Sequence, residues 1–267
     1  MDTISQIRTG DGVRLAYRLD GDPEKPTLLL SNSIGTDLHM WDGQVPALTE
    51  HYRLLRYDAR GHGRSDVPAG PYPLDRLGRD AVELLDALEL PRVHVLGLSL
   101  GGLVAQWLGI HAADRVDRLV LAHTAAHFGP AARWDEAIAA LLAAPDMRAT
   151  TEEFLGNWFP ARTLSEEPDT VAPFRATLLA THRDGVAGSW AAVRDTDLRR
   201  TLPLIDRPTL VIAGEHDTVT TPRHAREIAA AVPGARLVTL PSVHLSNVER
   251  PAEFVEAVLG FLGERPG

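Results

Sequence analysis

A chain of 267 residues, 44% hydrophobic and 24% charged, has the make-up of a globular protein with room for one large domain and an insertion. Its net charge of -9 disfavours a nucleic-acid surface, which needs clustered positive charge, and no apolar run approaches the ~20 residues of a membrane span. Zero cysteines exclude disulfides and thiolate chemistry, and the single lysine, Lys25, lies in a Pro/Asp/Glu-rich turn unsuited to a Schiff base or a phosphate loop, so small molecules are the expected partners.

The first residues, Met1-Asp2-Thr3-Ile4-Ser5, lack the basic and apolar regions of a signal peptide, which points to the cytoplasm. Val13 to Leu19 alternates and reads as a strand, Gly21-Asp22-Pro23 as a turn, and Thr27 to Leu30 as a short buried strand. Another strand follows at Arg53 to Tyr57. Leu77, Val82, Leu84, Leu85 and Leu88 fit one face of a helix over 77–88, ahead of a strand at Val93 to Leu96. A helix from Gly101 to His111 and a buried strand at Arg118 to Ala122 come next. Such βα alternation predicts an α/β fold: a mostly parallel sheet with helices on both faces.

The rhythm breaks between about Phe128 and Arg200, where Ala-rich helical segments are interrupted by Pro130, Pro145, Pro160, Pro168 and Pro173. No strand-like run occurs there. This stretch is expected to be a helical cap inserted into a single domain spanning 1–267. It holds Trp134, Trp158 and Trp190, which either line a substrate pocket or pack the insertion's own core. The alternation resumes after Pro208 with a strand at Thr209 to Ala213, a helix at Pro222 to Val232, a strand at Arg236 to Leu240 and a helix from about Pro251 to Leu262.

Gly97-Leu98-Ser99-Leu100-Gly101-Gly102 marks a strand-to-helix junction. A serine there can occupy a strained turn, because Gly97 and Gly101 remove the side chains that would clash, and Leu100 N–H at the helix start points where an anion would form. A serine hydroxyl is a weak nucleophile and needs a base with something to orient it. Asp217 follows the strand at 209–213 and His244 the strand at 236–240, so in a parallel sheet both loops emerge at the edge that carries Ser99. Glu215 is the alternative acid. His62, His123 and His216 fall near the site in the wrong order for the base, and His123-Thr124-Ala125 offers no acid directly after the strand at 118–122. A second oxyanion donor is expected at Ile34 N–H in the turn Asn32-Ser33-Ile34-Gly35. The segment Arg60-Gly61-His62-Gly63-Arg64-Ser65-Asp66 reads as a demanding backbone turn with a structural role. Metal hydrolysis is not expected: no HExxH occurs, and His123 with His127 has a carboxylate only at Asp135.

The order Ser99, Asp217, His244 is that of α/β-hydrolases. The runs Ser31-Asn32-Ser33-Ile34-Gly35-Thr36-Asp37-Leu38-His39-Met40-Trp41-Asp42, Arg56 to Asp66 and His244-Leu245-Ser246-Asn247-Val248-Glu249-Arg250-Pro251 resemble the 3-oxoadipate enol-lactonases of that superfamily. The resemblance covers nearly the full chain, and Asn157-Trp158-Phe159-Pro160 and Ala192 to Arg199 extend it into the cap. It implies an eight-stranded α/β-hydrolase fold, hydrolysis of an enol-lactone to 3-oxoadipate in the β-ketoadipate pathway of aromatic degradation, and no metal or organic cofactor. The cap departs from the family: Ala137 and Asn157 stand where arginines are frequent, and Val186 where an aromatic is. That substrate carries a carboxylate, for which Arg133, Arg162 and Arg194 are the candidate anchors, with Trp134 and Trp158 as further substrate contacts. The departures leave two alternatives: a hydrolase or perhydrolase of neutral esters and lactones, or a ligand receptor that turns over slowly.

Overall fold

In the computed structural model, residues 4–264 are described; Met1, Asp2 and Thr3 of the N-terminal segment considered above lie outside them. The first half of the chain forms β1 (Ser5–Arg8), β2 (Arg14–Asp20), β3 (Thr27–Ser31), α1 (Val45–Thr49), β4 (Arg53–Tyr57), α2 (Leu74–Ala87), β5 (Val93–Leu98), α3 (Leu100–His111) and β6 (Val116–Ala122). The second half forms α4 (Ala131–Ala143), α5 (Arg148–Trp158), α6 (Ala161–Glu166), α7 (Pro168–Ala180), α8 (Arg183–Asp195), β7 (Thr209–Gly214), α9 (Pro222–Ala231), β8 (Arg236–Leu240), α10 (Ser246–Glu249) and α11 (Pro251–Leu262). The eight strands make one sheet in the order β1-β2-β4-β3-β5-β6-β7-β8. Only β2 runs against the rest.

Both faces of the sheet are covered, which is why its central strands read as unbroken apolar runs. Leu29, Leu55, Val95, Leu119 and Leu121 pack with Leu84 of α2 and Leu103 of α3 on one face. Their neighbours Leu28, Leu30, Leu54, Leu96 and Val120 pack with Leu48 of α1 and Phe254 and Val258 of α11 on the other. The period of two sorts successive residues to opposite cores. β1 carries little of this signal: Ser5–Arg8 is an edge strand alternating between half-buried and exposed, so the apolar runs by themselves indicate seven strands, whereas the resemblance implied the eight observed. β5 also runs on to Leu98, and α2 starts at Leu74, directly after Pro73.

In the strand order, β3 lies between β4 and β5, so the chain builds outward in one direction from β3 and then crosses back. At such a switch point the loops leaving two adjacent strands diverge and open a crevice. Here those loops are the turn after β3 and the junction after β5 that holds Ser99.

Helices α4–α8 fill the interval between β6 and β7. The interval is closed at its base by a bridge between His127 and Asp197 and by Leu198 N–H donating to Ala126 O at 2.8 Å. Glycines bring α8 against the loop after β4: a Cβ on Gly185 would lie 2.0 Å from Gly61 O. Tyr72 N–H also donates to Gly188 O at 3.1 Å. Among the described residues no helix is long and apolar enough to cross a membrane.

The loop after β4 spends its polar groups on the scaffold. Asp58 accepts from Leu38 N–H at 2.7 Å and Arg64 N–H at 2.8 Å, and Arg60 forms a buried two-pronged pair with Asp80 at 2.6 and 2.7 Å. His62 is buried, its Nδ1 3.2 Å from Arg60 O, and burial lowers its pKa from 6.5 to about 4. The unfolded chain therefore takes up this proton at higher pH than the folded one. The stability held by neutral His62 is full above pH 6.5 and is lost as pH falls through that value toward 4, about 3 kcal/mol in all. Asp58, raised by burial to about 6, acts in the opposite sense. Its contribution cancels when variant and wild type are compared. In urea melts from pH 7 to pH 4, His62→Gln should lose less stability than wild type; parallel losses would overturn this assignment.

Candidate active site

Ser99 joins β5 to α3 with φ 58 and ψ -114, a conformation that costs a non-glycine residue strain and turns its side chain out of the strand direction. The flanking glycines serve close approach. A Cβ on Gly97 would lie 2.0 Å from Gly101 O, and one on Gly101 2.0 Å from Ser31 O. The turn is clamped from β6: Ser99 N–H donates to Ala122 O at 3.0 Å, and Thr124 Oγ1 donates to Ser99 O at 2.8 Å.

The contact between Gly101 and Ser31 also sets the loop after β3 beside the start of α3. Gly101 N–H donates to Asn32 O at 3.0 Å. The Asn32 side chain in turn donates to Tyr57 O at 2.8 Å and accepts from Trp41 Nε1 at 2.7 Å. Two residues on, Ile34 N–H donates to no backbone oxygen among the described residues. Leu100 opens α3, so its N–H is one of the donors a first helical turn leaves free. Gly35 bends the loop with φ 78 and lies against the inserted helices: a Cβ there would meet Leu178 Cδ2 at 2.6 Å and Trp158 Cη2 at 3.5 Å.

Asp217 and His244 come together after β7 and β8, with His244 Nδ1 2.8 Å from Asp217 Oδ2 and both side chains buried. The same Oδ2 meets Thr220 Oγ1 at 2.6 Å and His123 Nδ1 at 3.0 Å, while Oδ1 accepts Val219 N–H at 2.8 Å and Thr220 N–H at 2.9 Å. Burial by itself would raise the Asp217 pKa. The neighbouring imidazoles of His244 and His123 and their hydrogen bonds outweigh it and hold the carboxyl well below the usual range. Burial likewise lowers the pKa of His123, against the pull of Asp217, so this ring is neutral.

The alternative acid, Glu215, and His216 are both exposed. Sequence reasoning placed His123 near the site but gave it no partner. The available signal was its position directly after the strand at 118–122, where an acid was sought. Thr220 carried no motif, and Ser246, which sits 2.6 Å from His123 Nε2, stood in the run from His244 to Pro251 without a role of its own. Donor atoms of His123, Asp217 and His244 lie within 4.8 Å of one another, as a metal site would require. Yet Oδ2 is already shared by three hydrogen-bond donors, and a cation there would need both imidazoles to give up their Nδ1 protons.

In the insertion, rings follow one another from Phe128 through Trp134, Trp190 and Phe154 to Trp158, each pair 5.1–6.2 Å apart between centroids. Trp134 is half-buried and donates Nε1–H to Phe128 O, whereas Trp158 is buried against Gly35. The arginines stand elsewhere. Arg194 is bound by Asp135 at 2.8 Å and Asp195 at 2.7 Å, Arg162 is exposed and paired with Glu166, and Arg133 is exposed.

The α/β-hydrolase fold profile matches residues 26–251. The chain belongs to the α/β-hydrolase family. Within this hydrolase family it is 36% identical over 250 residues to 3-oxoadipate enol-lactonase 2 of Acinetobacter baylyi, covering 94% of this chain and 93% of the relative. A putative carbamate hydrolase of Agrobacterium fabrum is 30% identical, covering 90% and 94%. Among solved structures, a hydrolase from Pseudomonas aeruginosa PA01 superimposes with a TM-score of 0.97 at 64% identity, covering 98% of this chain and 99% of that one. The enol-lactonase of Burkholderia xenovorans LB400 does so with 0.94 at 40% identity, covering 97% and 100%.

If the α/β-hydrolase site depends on the contact between Gly101 and Ser31, Gly101→Ala should misplace the Ser99 turn by about 1 Å and lower ester turnover ~100-fold. A crystal structure and kinetics of the variant check this; unchanged turnover would refute it.

Proposed function

We propose that the chain is a serine hydrolase that opens a lactone ring through an acyl-enzyme, with 3-oxoadipate enol-lactone as its substrate. The observation that carries the reading is the 2.8 Å contact between His244 Nδ1 and Asp217 Oδ2, on loops that leave the same sheet edge as the strained Ser99 turn. The similarity to enol-lactonases across nearly the whole chain supports the substrate.

Asp217 accepts the Nδ1 proton and leaves His244 Nε2 as the base. Nε2 takes the proton of Ser99 Oγ as that oxygen attacks the ring carbonyl, and the oxyanion is held by Ile34 and Leu100 N–H. Collapse breaks the ring C–O bond, and His244 returns the proton to the departing enol oxygen. The enol is a better leaving group than an ordinary alkoxide, and its tautomerisation to a ketone draws ring opening forward. Water, deprotonated by His244, then attacks the acyl carbon and releases Ser99 and the free acid. Only water is consumed, and no step calls for a metal or organic cofactor. In this reading residues 128–200 form a cap whose Trp158 and Leu178 wall the acyl site beside Gly35.

A second reading, hydrolysis of neutral esters or lactones on the same residues, is favoured by the cap arginines. Arg194 is already neutralised by two carboxylates, and Arg133 and Arg162 face solvent. Measuring kcat/KM for the anionic enol-lactone beside neutral lactones and p-nitrophenyl esters separates the two: a higher value for the enol-lactone is expected, and preference for uncharged substrates selects the second reading. Under either, Ser99→Ala should remove turnover by ~10⁶-fold with the melting temperature kept. Substantial residual turnover would refute both.

A further inference from the structure

Three buried polar side chains around Asp217 have no part in the steps above: His123, Thr220 and Ser246. His123 follows β6 in a left-handed conformation, φ 45, and its ring fits because β7 ends in glycine: a Cβ on Gly214 would come 3.0 Å from His123 Cε1. Nδ1 then lies 3.0 Å from Asp217 Oδ2 and Nε2 2.6 Å from Ser246 Oγ. The roles in this chain of contacts follow from elementary chemistry. An ionised carboxylate only accepts, so His123 Nδ1 carries a hydrogen; the ring is neutral, so Nε2 holds a lone pair and Ser246 donates to it. The connectivity Ser246–His123–Asp217 thus repeats, on the buried side of the carboxylate, the one read for Ser99–His244–Asp217. The two imidazoles meet edge to face across it, 5.7 Å between centroids. Ser246 is 0% exposed and has no access to substrate, so this branch acts only through Asp217.

We propose that His123 is a positioning residue for the hydrolytic reaction: its Nδ1–H, oriented by Ser246, fixes Asp217 Oδ2 toward His244 and draws off part of the charge that His244 feels. The proposal rests on the reading of Asp217 and His244 as the acid and base that serve Ser99. The groups facing the carboxylate are His244 after β8, His123 after β6, Thr220 ahead of α9, and more distantly His224 of α9. Removing the His123 donor leaves more of the negative charge for protonated His244 and loosens the carboxylate.

His123→Leu should therefore lower kcat by about tenfold with KM changed by no more than about twofold, and should move the acid limb of the kcat/KM profile to higher pH. His123→Asn carries an amide donor on Cγ, where Nδ1 is attached, and should restore the acid limb and most of kcat. An unmoved acid limb in His123→Leu, or a His123→Asn no better than His123→Leu at equal folded fraction, would overturn the proposal. Imidazole ¹⁵N shifts of the wild-type protein test it without any variant: His123 should be the neutral Nδ1–H tautomer, and an Nε2–H tautomer would also overturn it. Failure of the Ser99→Ala test would count against the reading of the site and leave the tautomer measurement intact.

Discussion

No side chain fits between Ser31 and Gly101. Two adjacent parallel strands end at the point where the sheet reverses its direction of build, and the helix that leaves β5 starts against the backbone of β3. That approach, permitted by glycine, sets the Ser99 turn, the free N–H of Leu100 and the loop bearing Ile34 side by side. The positive φ falls on the serine itself. The strain is held by hydrogen bonds from the turn to Ala122 of the next strand and from Thr124 just beyond it.

The second organising element is a buried charge. A carboxylate withdrawn from water is costly unless its lone pairs are met, and Asp217 meets five donors: two backbone amides, one hydroxyl and two imidazoles. The amides and the hydroxyl come from its own turn. The imidazoles come from loops after two other strands, so the folded sheet, and not the local sequence, completes the solvation. One imidazole points on to Ser246 and away from solvent.

In the proposed reading, substrate choice belongs to the inserted helices. They lean on the core through Gly185 and Gly188 and present Trp158 and Leu178 to the turn that follows Ile34. Both of those contacts are apolar, while Arg194 and Arg162 are committed to the insertion's own carboxylates and Arg133 lies in water. In that reading, hydrolysis and the charge preference of the acyl site are separable features, built by different segments of one chain.

From the sequence alone, the alternation of apolar runs with helical periods set the class of sheet, because both faces of its central strands are buried and Thr27 to Leu30 or Arg118 to Ala122 have few other uses. The Gly97 to Gly102 run, with Asp217 and His244 after later strands, located the candidate site, since a strand-to-helix turn with a serine needs those small residues locally. Ser5–Arg8 escaped notice because an edge strand with one exposed face carries no apolar run. The partnership of His123 with Asp217 and Ser246, the wall of Trp158 and Leu178 at Gly35, and the capture of Arg194 by Asp135 were decided only by the tertiary structure. Each joins residues from different loops or helices, and the distance between two side chains across a folded sheet is set by packing, which no local pattern records.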